Sequence, residues 1–211
     1  MAKGRLEAFS DGVFAVAITL LVLDLHLNGK GTLANQLWSE WPQYAAYVVS
    51  FMIIGIIWVN HHGLMDKLRR VDRWVLFLNL LLLLFVVLIP FPTSVVAQYL
   101  RHGTWNAKVA VAFYNGVMEA MGLAFSGIYA WAGRHEELLH ESVDAAQHRS
   151  SLRQFGIGAI AYLVLVLVAF LNPAVALVGD FLLGVFYVFD WTVGRWAGSA
   201  GSTGSASEAV E

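Results

Sequence analysis

The sequence predicts an all-α integral membrane protein with six transmembrane helices. Three observations carry that expectation. Of 211 residues, 58% are apolar or aromatic and 13% are charged, whereas a soluble domain carries about 25% charged residues to keep its surface hydrated. Six stretches are apolar over the roughly 20 residues that a helix needs to cross about 30 Å of hydrocarbon. Lys and Arg concentrate at alternate ends of those stretches, as the positive-inside rule requires. The formal net charge of −2 points away from nucleic acid, and the absence of Cys excludes disulfides, thiolate metal sites and Cys nucleophiles.

The first stretch runs from Leu6 to Leu27. It carries Asp11 and Asp24 and is followed by no small-residue cleavage site, so it reads as a span rather than a cleavable signal. The second runs from Pro42 to Met65 and the third from Arg73 to Val96, with Leu80 to Ile89 at its heart. Pro90 and Pro92 remove backbone donors there and are expected to kink the third helix or turn its outer end irregular. The fourth runs from Ala107 to Ala132, the fifth from Phe155 to Leu171 and the sixth from Ala174 to Trp196. Asn172-Pro173 reads as a tight turn between the last two. Residues 1–197 therefore form one six-helix domain, and the Gly/Ser-rich tail 198–211 reads as disordered.

With the N-terminus in the cytoplasm, that side carries Lys3, Arg5, Lys67, Arg69, Arg70, Arg73, Arg134, Arg149, Arg153 and Arg195. The outer side carries only Lys30, Arg101 and Lys108. This asymmetry places both termini inside, in a multi-pass protein of the cell membrane. The polar stretch Arg134 to Arg153 falls on the cytoplasmic side, where a helical extension or a surface helix is expected.

The segment Arg5-Leu6-Glu7-Ala8-Phe9-Ser10-Asp11-Gly12 is the most informative. Polar groups at the end of a membrane helix need partners. At about 100° per residue, Phe9, Gly12, Val16, Thr19, Leu20, Leu23 and Leu27 share one stripe. Asp11 lies nearly opposite, so its carboxylate must find partners on neighbouring helices, while Arg5 lies on the stripe side.

Arg5, Phe9, Ser10 and Asp11, spaced Arg-x-x-x-Phe-Ser-Asp and followed by Gly12 and the run Val13 to Leu23, resemble the first helix of the endosomal and lysosomal potassium channel family (transmembrane protein 175), especially its prokaryotic members. The resemblance implies one six-helix unit per chain and a homotetramer in which the first helix of each subunit lines a central pore. It implies a potassium-preferring cation channel, with K+ as the permeant ion and no cofactor. The family lacks a backbone-carbonyl filter and narrows instead at a ring of apolar side chains. Val16 matches the narrow point, Thr19 matches a threonine layer one turn outward, and Leu20 and Leu23 continue the lining. Apolar rings gate by dewetting, and hydroxyls beyond them can replace part of a cation's hydration shell. Asp24, on the flank of the stripe, is expected to concentrate cations at the outer mouth.

Each signal also has a plainer meaning. An apolar stripe without the Phe-Ser-Asp motif is core packing. Arg5 and Asp11 read chiefly as anchors holding the first helix in register. His61 and His62 are adjacent, so they point about 100° apart, poor geometry for one metal ion. They are expected to hydrogen-bond toward the polar end of the first helix. Glu119 and Asp180 are either functional acids or neutral carboxylic acids bonded to a neighbouring helix. A proton-coupled transporter using Asp11, His61, His62, Glu119 and Asp180 is the alternative function; no internal repeat supports it. No Gly-x-Ser-x-Gly elbow and no His-Glu-x-x-His motif occurs, so no enzyme is expected.

Overall fold

The computed structural model describes residues 3–27, 29, 31–100, 105–141 and 145–186, with residues 145–155 described as backbone alone. Helix α1 spans Lys3–Leu23, α2 Leu33–Ser39, α3 Trp41–Lys67, α4 Arg73–Leu88, α5 Pro90–Tyr99, α6 Trp105–Arg134 and α7 Ala145–Leu171. A last helix, α8, covers Pro173–Phe186. Among the described residues, α1, α3, the α4–α5 unit and α6 are long and apolar enough to cross a membrane. The later apolar stretches, Gly156–Leu171 and Pro173–Phe186, are shorter. The rest of the expected sixth span, with Asp190 and Arg195, lies outside the described residues, as do the tail and the side chains of Arg149 and Arg153.

Residue α6 neighbours explain the architecture. This helix is buried along its length and packs against α4, α5 and α7, while α1 lies to one side on α3, α4 and α5. The outward surface is apolar: Phe77, Leu84, Leu163 and Leu167 are all exposed. A contiguous coat of large apolar side chains is unfavourable in water and is what lipid solvates. The chain is thus a multi-pass membrane protein. Trp41, Leu100 and Ala174 line one cavity, so the ends they mark lie together on what is here termed the Trp41 side. Lys67, Arg69 and Leu138 meet on the opposite, Arg134 side.

The prolines act more locally than the sequence suggests. Pro90 and Pro92 have no N–H, so the Val86 and Leu88 carbonyls lose their helical donors. The Ile89 N–H turns to Val86 O at 3.2 Å, and the regular pattern resumes with Thr93 N–H to Ile89 O at 3.1 Å. The break is confined to Ile89, and the chain beyond it stays helical through Tyr99. Pro at N1 of α5 suits a position whose N–H has no helical acceptor. The Asn172-Pro173 turn is also a cap: Asn172 Oδ1 accepts the N–H groups of Ala174 at 3.0 Å and Val175 at 3.3 Å.

On the Arg134 side, α7 begins at Ala145, ten residues before Phe155, so part of the polar stretch extends this helix. The chain before it forms a short 3-10 turn, Glu136–Leu138, pinned to the α3–α4 loop. Arg69 N–H donates to Leu138 O at 2.8 Å and His140 N–H to Lys67 O at 3.1 Å. Asp72 joins the same region: its Oδ1 accepts Val75 N–H at 2.8 Å as the cap of α4, and its Oδ2 accepts Trp131 Nε1–H at 2.9 Å from α6. Asp72→Ala removes a cap and an interhelical bond together. It is expected to cost about 2 kcal/mol, read as a lower thermal midpoint in detergent.

Candidate functional site

Two faces of α1 divide by burial. Leu6, Ser10, Phe14, Ala17 and Leu21, spaced four, four, three and four apart, are buried against the bundle. The stripe from the motif is not covered: Phe9 is 52%, Val16 53% and Leu23 70% exposed, and Gly12, Thr19 and Leu20 are exposed too. A Cβ added at Gly12 meets nothing within 4 Å. The bundle's own packing therefore gives no reason for glycine there. Thr19 Oγ1 donates to Val16 O at 2.9 Å. With its hydrogen spent on the helix, the hydroxyl presents only acceptor lone pairs outward.

The helix ends at Leu23, a turn earlier than Leu27. Asp24 sits in the following turn and Leu27 lies beyond it, so helical angles do not place either residue on the stripe. Asp24 instead lines a polar cavity of about 400 Å³ with His26, Glu40, Gln43 and Gln98 on the Trp41 side.

Ser10 and Asp11 hold the N-terminal half of α1. Consecutive helical residues point about 100° apart, so the pair reaches two different helices. Ser10 is fully buried and accepts from Asn79 Nδ2–H of α4 at 3.0 Å, while donating to Leu6 O at 2.9 Å. Asn79 Oδ1 in turn accepts from His61 Nε2–H of α3 at 2.7 Å. Asp11 Oδ1 accepts from Trp58 Nε1–H of α3 at 2.8 Å. Phe14 packs on the His61 ring at 5.4 Å between centroids. His61, Asn79 and Ser10 thus tie three helices through buried bonds, the form in which polar groups are tolerated in a membrane core, while the Asp11–Trp58 bond is exposed.

The two histidines part company. His61 reaches α1 through Asn79. His62 faces outward, 3.8 Å from Asp66, with its ring tilted 31° to that of Trp58 at 6.4 Å between centroids. Arg5 is exposed. Among the described residues no group of three or more His, Cys, Asp or Glu side chains is arranged to hold a metal ion. Asn79 was not singled out from the sequence, although a lone Asn inside the apolar run Arg73–Leu88 is a visible signal of a buried partner.

A second polar cluster lies nearer the Trp41 side. Thr93 Oγ1 donates to Ile89 O at 2.7 Å, and accepts from Ser50 Oγ at 2.8 Å. Ser50 Oγ accepts from the Tyr114 hydroxyl at 3.3 Å. Asp180 adjoins Tyr114 and Asn115. Among the described residues no hydrogen bond joins this cluster to the His61–Asn79–Ser10 chain.

A family model described as the endosomal/lysosomal potassium channel TMEM175 matches residues 5–90, the span that holds the motif, α3 and α4. A potassium channel of Streptomyces collinus is 45% identical over 89% of this chain and 92% of its own length. The chain belongs to the TMEM175 family. A potassium channel of Chamaesiphon minutus is 35% identical over 87% of this chain and 92% of its own. The crystal structure of a lysosomal potassium-selective channel TMEM175 homolog from Chamaesiphon minutus superposes with a TM-score of 0.79, covering 89% of this chain and 97% of that one at 34% identity. The family motif thus coincides with the residues that anchor α1: Ser10 and Asp11 grip α4 and α3, and Phe9 and Gly12 belong to the uncovered stripe.

Proposed function

We propose that the chain is one subunit of a potassium-conducting channel of the cell membrane. In this reading it has six spans and cytoplasmic termini, and four copies assemble around a pore lined by α1. The observation that carries it is the division of α1: one face is packed into the bundle and tied to α4 by the buried Ser10–Asn79 bond, while the Val16–Thr19–Leu20–Leu23 face is left uncovered. A helix anchored so firmly has a fixed rotation, and a fixed rotation presents the same residues to a shared axis in every subunit. The names of relatives that match nearly the whole chain support potassium as the ion.

Val16 forms the apolar constriction. Thr19, one turn outward, turns acceptor oxygens toward the axis, where four hydroxyls take the place of lost hydration water. Asp24, in its polar cavity, raises the local cation concentration at the mouth. The separation of the His61 chain from the Asp180 cluster weighs against a transporter relay through both.

The test is flux from liposomes loaded with potassium and diluted into sodium, with no proton gradient. Potassium efflux is expected. Flux that starts only when a proton gradient is imposed overturns the channel reading. Thr19→Val, isosteric but without acceptor oxygens, is expected to lower the preference for potassium over sodium by about tenfold, the equivalent of ~1.4 kcal/mol. Bi-ionic reversal potentials measure it, and an unchanged ratio removes Thr19 from selectivity.

A further inference from the structure

Asp180 and Asn115 are both fully buried, on α8 and α6. Asp180 lies seven residues past Pro173, about 10 Å into the bundle at 1.5 Å per residue. Neither of its carboxylate oxygens has a hydrogen-bond partner, and the Oδ1 of Asn115 has none either. The Asn115 amide is spent in part on its own helix, through Nδ2–H to Val111 O at 3.1 Å. Three buried oxygens on two neighbouring side chains therefore have no hydrogen bond of ordinary length, with the Asn115 amide a donor close to the carboxylate. Among the described residues the one titratable side chain facing Asp180 is Tyr114 of α6; Ser50 of α3 and Thr93 of α5, the next groups in the cluster, are neutral hydroxyls. No Lys, Arg or His among the described residues faces the carboxylate.

A carboxylate inside a membrane bundle needs a compensating charge. The surroundings select its kind. All the free ligands are oxygens, which suits a hard cation rather than the softer metals that seek thiolate or imidazole. One carboxylate offers a single negative charge, whereas calcium and magnesium sites gather six or more oxygens, usually with several charges. We propose that Asp180 and Asn115 form a binding site for one monovalent cation, either a proton or an alkali ion, that fastens α8 to α6. A proton on Asp180 donates to Asn115 Oδ1, and the second Asn115 N–H turns to the other carboxylate oxygen. An alkali ion takes all three oxygens. Neither step involves the α1 stripe, so the site is independent of the pore reading.

The test is thermal unfolding of the purified full-length protein in detergent. In one arm, potassium or sodium replaces N-methylglucamine at fixed pH. In the other, pH rises at fixed salt. Wild type is expected to gain stability as one of the two cations is supplied, and the arm that responds identifies it. Asp180→Asn, which replaces acid–amide by amide–amide pairing without charge, is expected to abolish that response, while Glu119→Gln leaves it intact. Wild type indifferent to both arms, or Asp180→Asn with an undiminished response, overturns the proposal. Should Asp180→Asn fail to fold, Asn115→Ala decides: losing one oxygen shifts the midpoint of the wild-type response by about tenfold in cation concentration, the worth of one hydrogen bond to a charge. An unshifted midpoint overturns the site.

Discussion

Val16→Asn is expected to raise basal potassium flux through reconstituted protein by roughly tenfold or more, since each ~1.4 kcal/mol taken off a barrier is a factor of ten. The physical basis is hydration. An apolar ring excludes water when narrow, and an ion cannot carry its shell across a dry gap. Four amides in place of four isopropyl groups hold water there, and the barrier drops. Val16 tolerates the change structurally because it is half-exposed on α1 and its side chain belongs to the stripe the bundle leaves uncovered. Val16→Phe is the opposing variant and is expected to reduce flux below wild type. Stopped-flow measurement of potassium efflux checks both. Unchanged flux in both variants moves the constriction to another ring, with Leu23 the next residue of the stripe to test.

Asn79→Leu is expected to destabilise the protein by about 2 kcal/mol and to lower flux with it. Leu fills a similar volume, so the loss is not a cavity. It strands two buried groups instead: the His61 Nε2–H loses its acceptor, and Ser10 Oγ loses its donor. Each stranded group costs roughly 1–3 kcal/mol in a soluble core. The lower end of the combined range applies because polar groups of an unfolded membrane chain also find partners. The functional loss follows from geometry. Asn79 is the link between α4, α3 and α1, and without it the rotation of α1 about its axis is held at the Arg134 side chiefly by Asp11 and Trp58. A thermal midpoint in detergent, with flux on the same preparation, checks the two effects. Asn79→Leu with wild-type stability removes the chain from the anchoring role.

Several features of the site were legible in the residues themselves. The 3.6-residue period of α1 separates Leu6, Ser10, Phe14, Ala17 and Leu21 from the stripe without any tertiary information, and the burial follows that division. Asp11 off the stripe required a partner on another helix, and Trp58 supplies it. The partners themselves were not legible, because they depend on which helices meet. Asn79 lies 69 residues from Ser10 in the chain, and nothing in the local pattern says that α4 passes beside α1. Likewise His61 and His62 are indistinguishable as adjacent letters; packing puts one inside against Phe14 and leaves the other outside beside Asp66. The end of α1 is hidden in the sequence for a related reason. Apolar residues continue to Leu27, but the backbone leaves the helix after Leu23, so Asp24 answers to the loop and its cavity rather than to helical angles.

By itself the sequence determined the class of molecule and grouped the residues of its first helix into faces. Hydrophobic length selects a membrane solvent, and the helical period groups the residues of α1 into faces, but both faces are largely apolar and packing decides which is buried. The tertiary structure alone decided which polar groups are satisfied. Hydrogen bonds between helices act over about 3 Å and join residues far apart in the chain, so only the packed bundle reveals that Ser10, Asn79 and His61 complete one another. The same packing reveals that Asp180 and Asn115, equally buried, keep three oxygens without a hydrogen bond of ordinary length.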